Sequence, residues 1–196
     1  MQLGLYGRTS RKNFQDEAGQ TPKNVVKENP SRLTHLTGGA MTEATFRPLD
    51  SLQVMAYIIK RCHEKEITLN ITKLQKLMYC CYGTVLGKFG LRLIDEYPAA
   101  WQYGPVFPEA LRSVQFFHVL AFLDKETPDV DALPESVRKL IDETLDSFGK
   151  FTAKQLSDWT HLKGSPWYLA SDGGSSLYGR LSDENVSNYF KTNVLR

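Results

Sequence analysis

Apolar residues recur every three or four positions between residues 52 and 85, in two runs divided by a short polar gap. The first run is Leu52, Met55, Ile58, Ile59 and Cys62, and the second is Ile71, Leu74, Met78, Cys81 and Val85. Candidate helix caps precede both runs, at Asp50 or Ser51 and at Thr68 or Asn70, and Gly87 and Gly90 follow the second run. This period behind a capping residue is typical of an amphipathic helix. The sequence therefore predicts one helix ending near Lys65 and a longer one at the centre of the fold.

Four further helices are predicted after residue 107. Their caps or first turns are expected at Pro108, Pro134, Thr152 and Ser182. The first should run to about Leu123, with an inward face made of Leu111, Val114, Phe117 and Ala121. Gly149 should end the second helix. Thr152 and Gln155 have the spacing of a capping box, so the third helix should begin there and run through Leu162.

The stretch from residue 93 to residue 106 interrupts this helical pattern. It contains two prolines, a glycine and several aromatic residues without a helical period, so we expect it to be extended, with a short strand around Ala100 to Tyr103. The sequence thus predicts a mainly α, compact single-domain bundle of about six helices. One irregular aromatic loop, which could include a very short β-hairpin, completes the expected fold.

The chain is expected to divide into a flexible polar leader at residues 1–44 and a folded domain at residues 45–195. The leader contains Pro22 and Pro30 and no sustained apolar period. Met41 lies where the periodic pattern begins, which makes it a candidate translation start. Residues 1–40 hold six Lys/Arg and three Asp/Glu, leaving 18 and 19 for residues 41–196. The basic character therefore belongs to the leader, and nucleic-acid binding by the folded part is not expected.

Composition also bounds the cellular setting. No run approaches the ~18 apolar residues that would span a membrane, and the N-terminus has no apolar signal core. The three cysteines, Cys62, Cys80 and Cys81, lack CxxC spacing and lie in helical apolar patterns, so they are interpreted as reduced core thiols. These features favour a cytoplasmic protein without contact to a membrane. The four histidines share no metal-ligand spacing, and no metal or other cofactor is expected.

Two arrangements could carry catalysis. Asp158 and His161 are three residues apart on one predicted helix, so His161 could titrate against a carboxylate or could join Cys80 or Cys81 as a base. The alternative is a structural hydrogen bond that ties this helix to the loop around Pro166 and Trp167. The structural interpretation is favoured, no catalytic residue is assigned, and a small hydrolase using His161 and Asp158 stays an alternative.

Two further groups suggest partner binding. Lys73 and Lys76 occupy neighbouring turns of the central helix, where they could form a small binding patch or an ordinary solvent face. Trp101, Tyr103 and Phe107 flank Gly104 and Pro105 in the irregular segment. Aromatic residues on a loop held by helices suit a binding hot spot. Equally, Trp101 could fill the core while Tyr103 forms a hydrogen bond across it.

Four short elements occur in order between about residues 50 and 191. The first is the run Leu69, Ile71, Thr72, Lys73, Leu74, Gln75, Lys76, Leu77 and Tyr79, and the second is Ala100, Trp101, Tyr103, Gly104, Pro105 and Val106. The third is Leu156, Ser157, Thr160 and His161 with Ser165, Pro166 and Trp167, and the last is Leu181, Ser182, Asp183, Glu184 and Phe190. In this order they resemble the Panacea domain, an antitoxin family that includes SocA-like and GepA-like phage-associated proteins.

The resemblance implies a helical binding protein, not an enzyme, that neutralises a cognate toxin by direct contact. The toxin is expected to be encoded by the adjacent gene, and some members resemble adaptors that deliver the toxin to a cellular protease. The candidate toxin-binding residues are Lys73, Lys76, Tyr79, Trp101, Tyr103, Gly104, Pro105 and Phe107. Asp158, His161, Pro166 and Trp167 are expected to form a structural motif.

Overall fold

The computed structural model describes residues 46–114, 119–124, 128–129 and 132–195. The predicted leader at residues 1–44 and the candidate start at Met41 lie outside the described residues. The described part is mainly helical, with one two-stranded antiparallel sheet, as the sequence predicts. The helices are α1 (Ser51–Glu64), α2 (Ile71–Phe89), α3 (Pro108–Val114), α4 (Glu135–Phe148), α5 (Ala153–Thr160), α6 (Pro166–Ala170) and α7 (Asp183–Asn193). The strands are β1 (Ala99–Trp101) and β2 (Gly104–Val106).

Helices α1 and α2 begin at the predicted caps. The side chain of Asp50 accepts hydrogen bonds from the first-turn amides of α1, and Asn70 accepts one from the Lys73 amide of α2. Each cap satisfies backbone donors that have no partner inside the helix. Gly90 ends α2 in the left-handed conformation, with φ 70°. Gly87 lies inside the helix, where the C-terminal segment packs closely: a Cβ there would lie 2.9 Å from a methyl carbon of Leu195 and 3.2 Å from Phe190 Cβ.

Helix α2 is the centre of the fold, as predicted. It packs against α1, α4, α5, α7 and β2, so almost its whole circumference is buried. Aromatic rings of the neighbouring helices meet beside it, because Phe190 packs edge-to-face against both Tyr79 and Trp159. Gly83 provides the space for Phe190, since a side chain at that position would overlap the phenyl ring.

The segment after β2 differs from its prediction. Instead of an α-helix reaching Leu123, the structure has α3 at Pro108–Val114 and a 3-10 helix at Val119–Asp124. A 3-10 helix repeats every three residues, so Val119 and Phe122 are its buried residues. Of the predicted inward residues, Val114 is buried, whereas Leu111 and Ala121 are only half-buried. The predicted core residue Phe117 lies outside the described residues.

Helices α4, α5 and α7 follow their sequence signals closely. Pro134 and Gly149 bracket α4, both hydrogen bonds of the capping box at Thr152 and Gln155 are present, and Ser182 caps α7. Helix α5 ends at Thr160 and not at Leu162. Helix α6 has only five residues, which is too short to leave a periodic signal. A short 3-10 helix (Asp172–Gly174) connects it to the final segment.

The two strands form a hairpin that lies against α2 and α5. Its register pairs Ala99 with Val106, Ala100 with Pro105 and Trp101 with Gly104, which leaves residues 102 and 103 as the turn. The segment at residues 178–181 pairs with the other edge of β1 through three backbone hydrogen bonds of 2.7–2.8 Å. No helix within the described ranges is both long and apolar enough to cross a bilayer.

Candidate partner-binding site

Side chains of α2 hold the hairpin by its backbone. The Gln75 side-chain oxygen accepts a hydrogen bond of 2.8 Å from the Phe107 amide. The ammonium group of Lys76 donates one of 2.9 Å to the Pro105 carbonyl oxygen. These neighbours in sequence therefore fix the hairpin backbone at two points, one within β2 and one at the residue that follows it.

Helices α5 and α6 hold the turn of the hairpin in the same manner. The Ser157 hydroxyl donates to the carbonyl oxygen of Tyr103 over 3.1 Å, and His161 Nε2 lies 3.2 Å from that of Gln102. The indole Nε1 of Trp167 donates to the carbonyl oxygen of Trp101 over 2.8 Å. Backbone groups from Trp101 to residue 107 are thus fixed by three different helices.

Lys76 is the least expected member of this arrangement. Its side chain is 1% exposed, and burial lowers its pKa from 10.5 to about 7. Gly104, with φ 101°, leaves room for it, because a Cβ there would lie 2.6 Å from Lys76 Cε. Lys76 therefore lies neither in a surface binding patch nor on a solvent face, the two interpretations that the sequence left open for Lys73 and Lys76. Lys73 is half-buried, and its ammonium donates to the Gly149 carbonyl oxygen over 2.7 Å.

Four other predicted contact residues are also buried. Tyr79 packs against Phe190, and Phe107 packs against Tyr82 with ring centroids 5.5 Å apart. Gly104 and Pro105 are buried as well. These residues contribute to the packing beneath the surface of the protein, and none of their side chains is available to a partner.

The aromatic surface consists instead of Trp101, Tyr103 and Tyr178. Tyr103 is 67% exposed in the turn. Trp101 is half-buried and packs edge-to-face against Tyr178, with ring centroids 5.4 Å apart. Tyr178 is 69% exposed and has φ 70°, a conformation that is rare for a side-chain-bearing residue. Tyr178 was not predicted from sequence, because it follows a Gly/Ser-rich turn and belongs to no motif.

The Asp158 and His161 side chains do not form a pair. Asp158 accepts a hydrogen bond of 2.6 Å from Lys154 instead. His161 Nδ1 faces the Ser157 carbonyl oxygen one turn back, and its ring packs on Trp167 with centroids 3.8 Å apart. The acid/base dyad considered for a hydrolase is therefore absent from the described site. Pro166 opens α6 and positions the buried Trp167, so His161 and Trp167 act together as supports of the turn.

The cysteines are buried, as the sequence predicts. Burial raises the pKa of Cys62 to about 12 and raises those of Cys80 and Cys81 as well. A thiol held in its protonated form is a poor nucleophile. Across the ranges that the structure describes, no three His, Cys, Asp or Glu side chains are grouped to hold a metal ion.

Comparison with known proteins finds matches in sequence. A family model described as "Antitoxin SocA-like, Panacea domain" matches residues 74–168, a range that includes the hairpin and every side chain that grips it. The chain is also 23% identical over 159 residues to Antitoxin SocA of Caulobacter vibrioides (strain NA1000 / CB15N), covering 73% of this chain and 83% of the relative. No solved structure matches the chain significantly.

Proposed function

Because the chain belongs to the Panacea-domain family of SocA-like antitoxins, we propose that it neutralises a toxin by binding it directly through the turn of the hairpin. The observation that carries this proposal is the exposure of Tyr103, at 67%, on a backbone that hydrogen bonds from Ser157 and Lys76 hold in place. The surface of this chain that contacts the toxin would also include Trp101 and Tyr178, which pack together beside the turn.

Large aromatic side chains are the usual anchors of protein interfaces, since each buries much area at a small cost in side-chain entropy. Solvent exposure of several such rings together is uncommon in a protein that works alone. The three rings here lie on adjacent segments, the hairpin and residues 178–181. They would therefore bury a continuous surface in a complex.

The rigidity of the turn supports the same proposal. A loop that is already ordered loses little conformational entropy on binding, which leaves more of the contact energy for affinity. The hydrogen bonds to Trp101, Gln102 and Tyr103 carbonyl oxygens leave the turn side chains without a role in holding the backbone. Those side chains are consequently available for contact with a partner.

The direct test is expression of the adjacent gene with and without this protein. The proposal predicts that the neighbouring product alone stops growth, that co-expression restores it, and that the two proteins elute together. Tyr103→Ala should weaken the complex by about 2 kcal/mol or more without changing the circular dichroism. Phe89→Ala is the control, because Phe89 is also an exposed aromatic ring but lies about 20 Å from Lys76 along α2.

Absence of toxicity and of any complex would contradict the proposal. An adaptor function gives a different outcome in the same strains: toxin abundance falls only when this protein and a cellular protease are both present. Direct neutralisation predicts instead that toxin abundance is unchanged when growth is restored. Immunoblotting of the toxin in protease-deficient cells therefore separates the two mechanisms.

A further inference from the structure

Strand β1 and the segment at residues 178–181 share an outer face. Side chains two residues apart on a strand point to the same side of a sheet. Ala100 and Leu181 are fully buried on the inner side, while Trp101 and Tyr178 meet on the outer side. The backbone pairing continues to residue 98, where the Leu181 amide donates to the Pro98 carbonyl oxygen.

Two arginines extend this outer face away from the turn. Arg180 lies opposite Ala99, and its guanidinium carbon is 2.9 Å from the ring centroid of Tyr97. The guanidinium carbon of Arg92 lies 4.3 Å from the same centroid. We use the name basic-aromatic face for the set Arg92, Tyr97, Trp101, Tyr178 and Arg180. Stacking on Tyr97 restricts both planar groups, and the exposed Arg180 keeps its N–H edge available for hydrogen bonds with a partner.

No carboxylate among the residues that the structure describes is in direct contact with the two arginines of this face. Neither Arg92 nor Arg180 forms an ion pair among them, and Arg92 Nε is buried there without a hydrogen-bond partner. Two carboxylates on neighbouring segments have other hydrogen-bond partners instead. Glu96 accepts hydrogen bonds from the Glu109 and Ala110 amides at the start of α3, and Asp183 accepts one from the Tyr82 hydroxyl.

We infer that the basic-aromatic face binds carboxylate side chains of the toxin, so that Arg92 and Arg180 select a partner with an acidic patch. The inference rests on the proposed function and adds the chemical character of the partner. Restricted guanidinium groups suit bidentate recognition of carboxylates, and the adjacent rings of Trp101 and Tyr178 supply apolar contact. An acidic protein surface beside an apolar one complements this arrangement.

A protein partner is favoured over a nucleic acid by the charge of the surrounding domain. Residues 41–196 contain 18 Lys/Arg against 19 Asp/Glu, whereas nucleic-acid binding usually rests on many cations along one surface. Two arginines fit a small number of carboxylates. They do not make the extended positive surface that a phosphate backbone requires.

The test measures binding of the toxin from the rescue experiment to four proteins by calorimetry at two salt concentrations. These are the wild-type chain, Arg180→Gln, the double variant Arg92→Gln/Arg180→Gln, and Arg112→Gln. Arg112 is an exposed arginine on α3 and serves as the matched control. Arg180 is also exposed, so Arg180→Gln should fold normally even if the half-buried Arg92 contributes to stability.

We expect Arg180→Gln to bind roughly tenfold more weakly and the double variant more weakly still, with a smaller dependence on salt. Arg112→Gln should bind like the wild type. Wild-type affinity in Arg180→Gln and in a folded double variant would overturn this inference and leave the proposed function intact. Failure of the wild-type chain to bind the toxin would overturn both. Binding of a labelled DNA duplex or RNA hairpin that is lost in the arginine variants, while toxin binding persists, would assign the face to nucleic acid and overturn the inference.

Discussion

The ammonium group of Lys76 donates a hydrogen bond to the Pro105 carbonyl oxygen across 2.9 Å, from a side chain that is 1% exposed. Among the described residues no carboxylate forms an ion pair with it. Burial without a counter-charge disfavours the protonated, charged form of a lysine side chain. Lys76 thus connects the central helix to the hairpin and makes the stability of the fold sensitive to pH.

The free energy of unfolding should therefore rise with pH because of Lys76. Its pKa is about 7 in the folded chain and close to the ordinary 10.5 in the unfolded chain. Between these values the unfolded chain binds more protons, so stability increases with pH by up to about 1.4 kcal/mol per unit. Lys76→Met should remove that increase, and urea unfolding from pH 7 to pH 9 measures it.

The informative quantity is the difference in the free energy of unfolding between the wild type and Lys76→Met at each pH. Burial raises the pKa of Cys62 to about 12 and that of Tyr189 to about 12, so these groups stay protonated in the folded chain while the unfolded chain loses their protons. Their contribution lowers stability above about pH 9. It is common to both proteins and cancels in the difference. Parallel curves for wild type and Lys76→Met would contradict the assignment.

Gln75→Leu should loosen the hairpin locally with little global cost. The substitution removes the acceptor of the Phe107 amide, which would leave a buried donor without a partner. It also removes Gln75 Nε2, itself buried without a hydrogen-bond partner in the described residues. The two effects oppose each other, so the free energy of unfolding should change by less than about 1 kcal/mol. The amide of Phe107 should exchange its hydrogen faster than in the wild type, and the amide of Phe151 should not. An unchanged exchange rate at Phe107 would argue against a role of Gln75 in holding the hairpin.

Gly104→Ala should destabilise the protein far more than Gly90→Ala. Both glycines have positive φ, at 101° and 70°, so both substitutions incur a backbone cost of about 1 kcal/mol. At Gly104 the added Cβ would also lie 2.5 Å from Thr160 Oγ1 and 2.6 Å from Lys76 Cε, whereas nothing lies within 4 Å at Gly90. The steric part should add about 1–3 kcal/mol. Equal unfolding midpoints of Gly104→Ala and Gly90→Ala in guanidinium chloride would show that the hairpin accommodates the added Cβ without loss of stability.

His161→Ala should lower the melting temperature, and Asp158→Asn should not. His161 packs on Trp167 and faces the Gln102 carbonyl oxygen, so its loss removes packing and a tie to the turn worth about 1–2 kcal/mol together. Asp158 is on the surface and pairs with Lys154, a contact worth under about 1 kcal/mol. Thermal unfolding followed by circular dichroism measures both. A melting temperature of His161→Ala equal to that of the wild type would show that His161 does not support the turn.

The helix boundaries could be predicted from sequence because they depend on local chemistry. Asp50, Asn70, Thr152 and Ser182 cap helices by hydrogen bonds to amides two or three residues away. Such hydrogen bonds depend only on residues that are close together in the sequence. The prediction failed after Val114, where the difference between an α-helix and a 3-10 helix depends on packing against the rest of the fold.

The candidate site was predicted less well, because it is made by contacts between distant segments. Lys76 was expected in a surface binding patch or on a solvent face, but α2 is surrounded by other elements and has almost no exposed face. On a helix surrounded by other elements, a polar residue is buried and forms a hydrogen bond inside the protein. The periodic pattern alone cannot distinguish such a residue from one that faces solvent. Tyr178 reaches the site only through pairing of its segment with β1, which no local signal indicates.

The turn at residues 102 and 103 is secured through main-chain carbonyl oxygens, which every amino acid possesses. Substitution of the two side chains in this turn therefore leaves all of its anchoring bonds available. A lineage could exchange Gln102 and Tyr103 to follow changes in a partner without having to re-evolve the scaffold. The same property makes these two positions the natural place to begin directed evolution toward a different toxin.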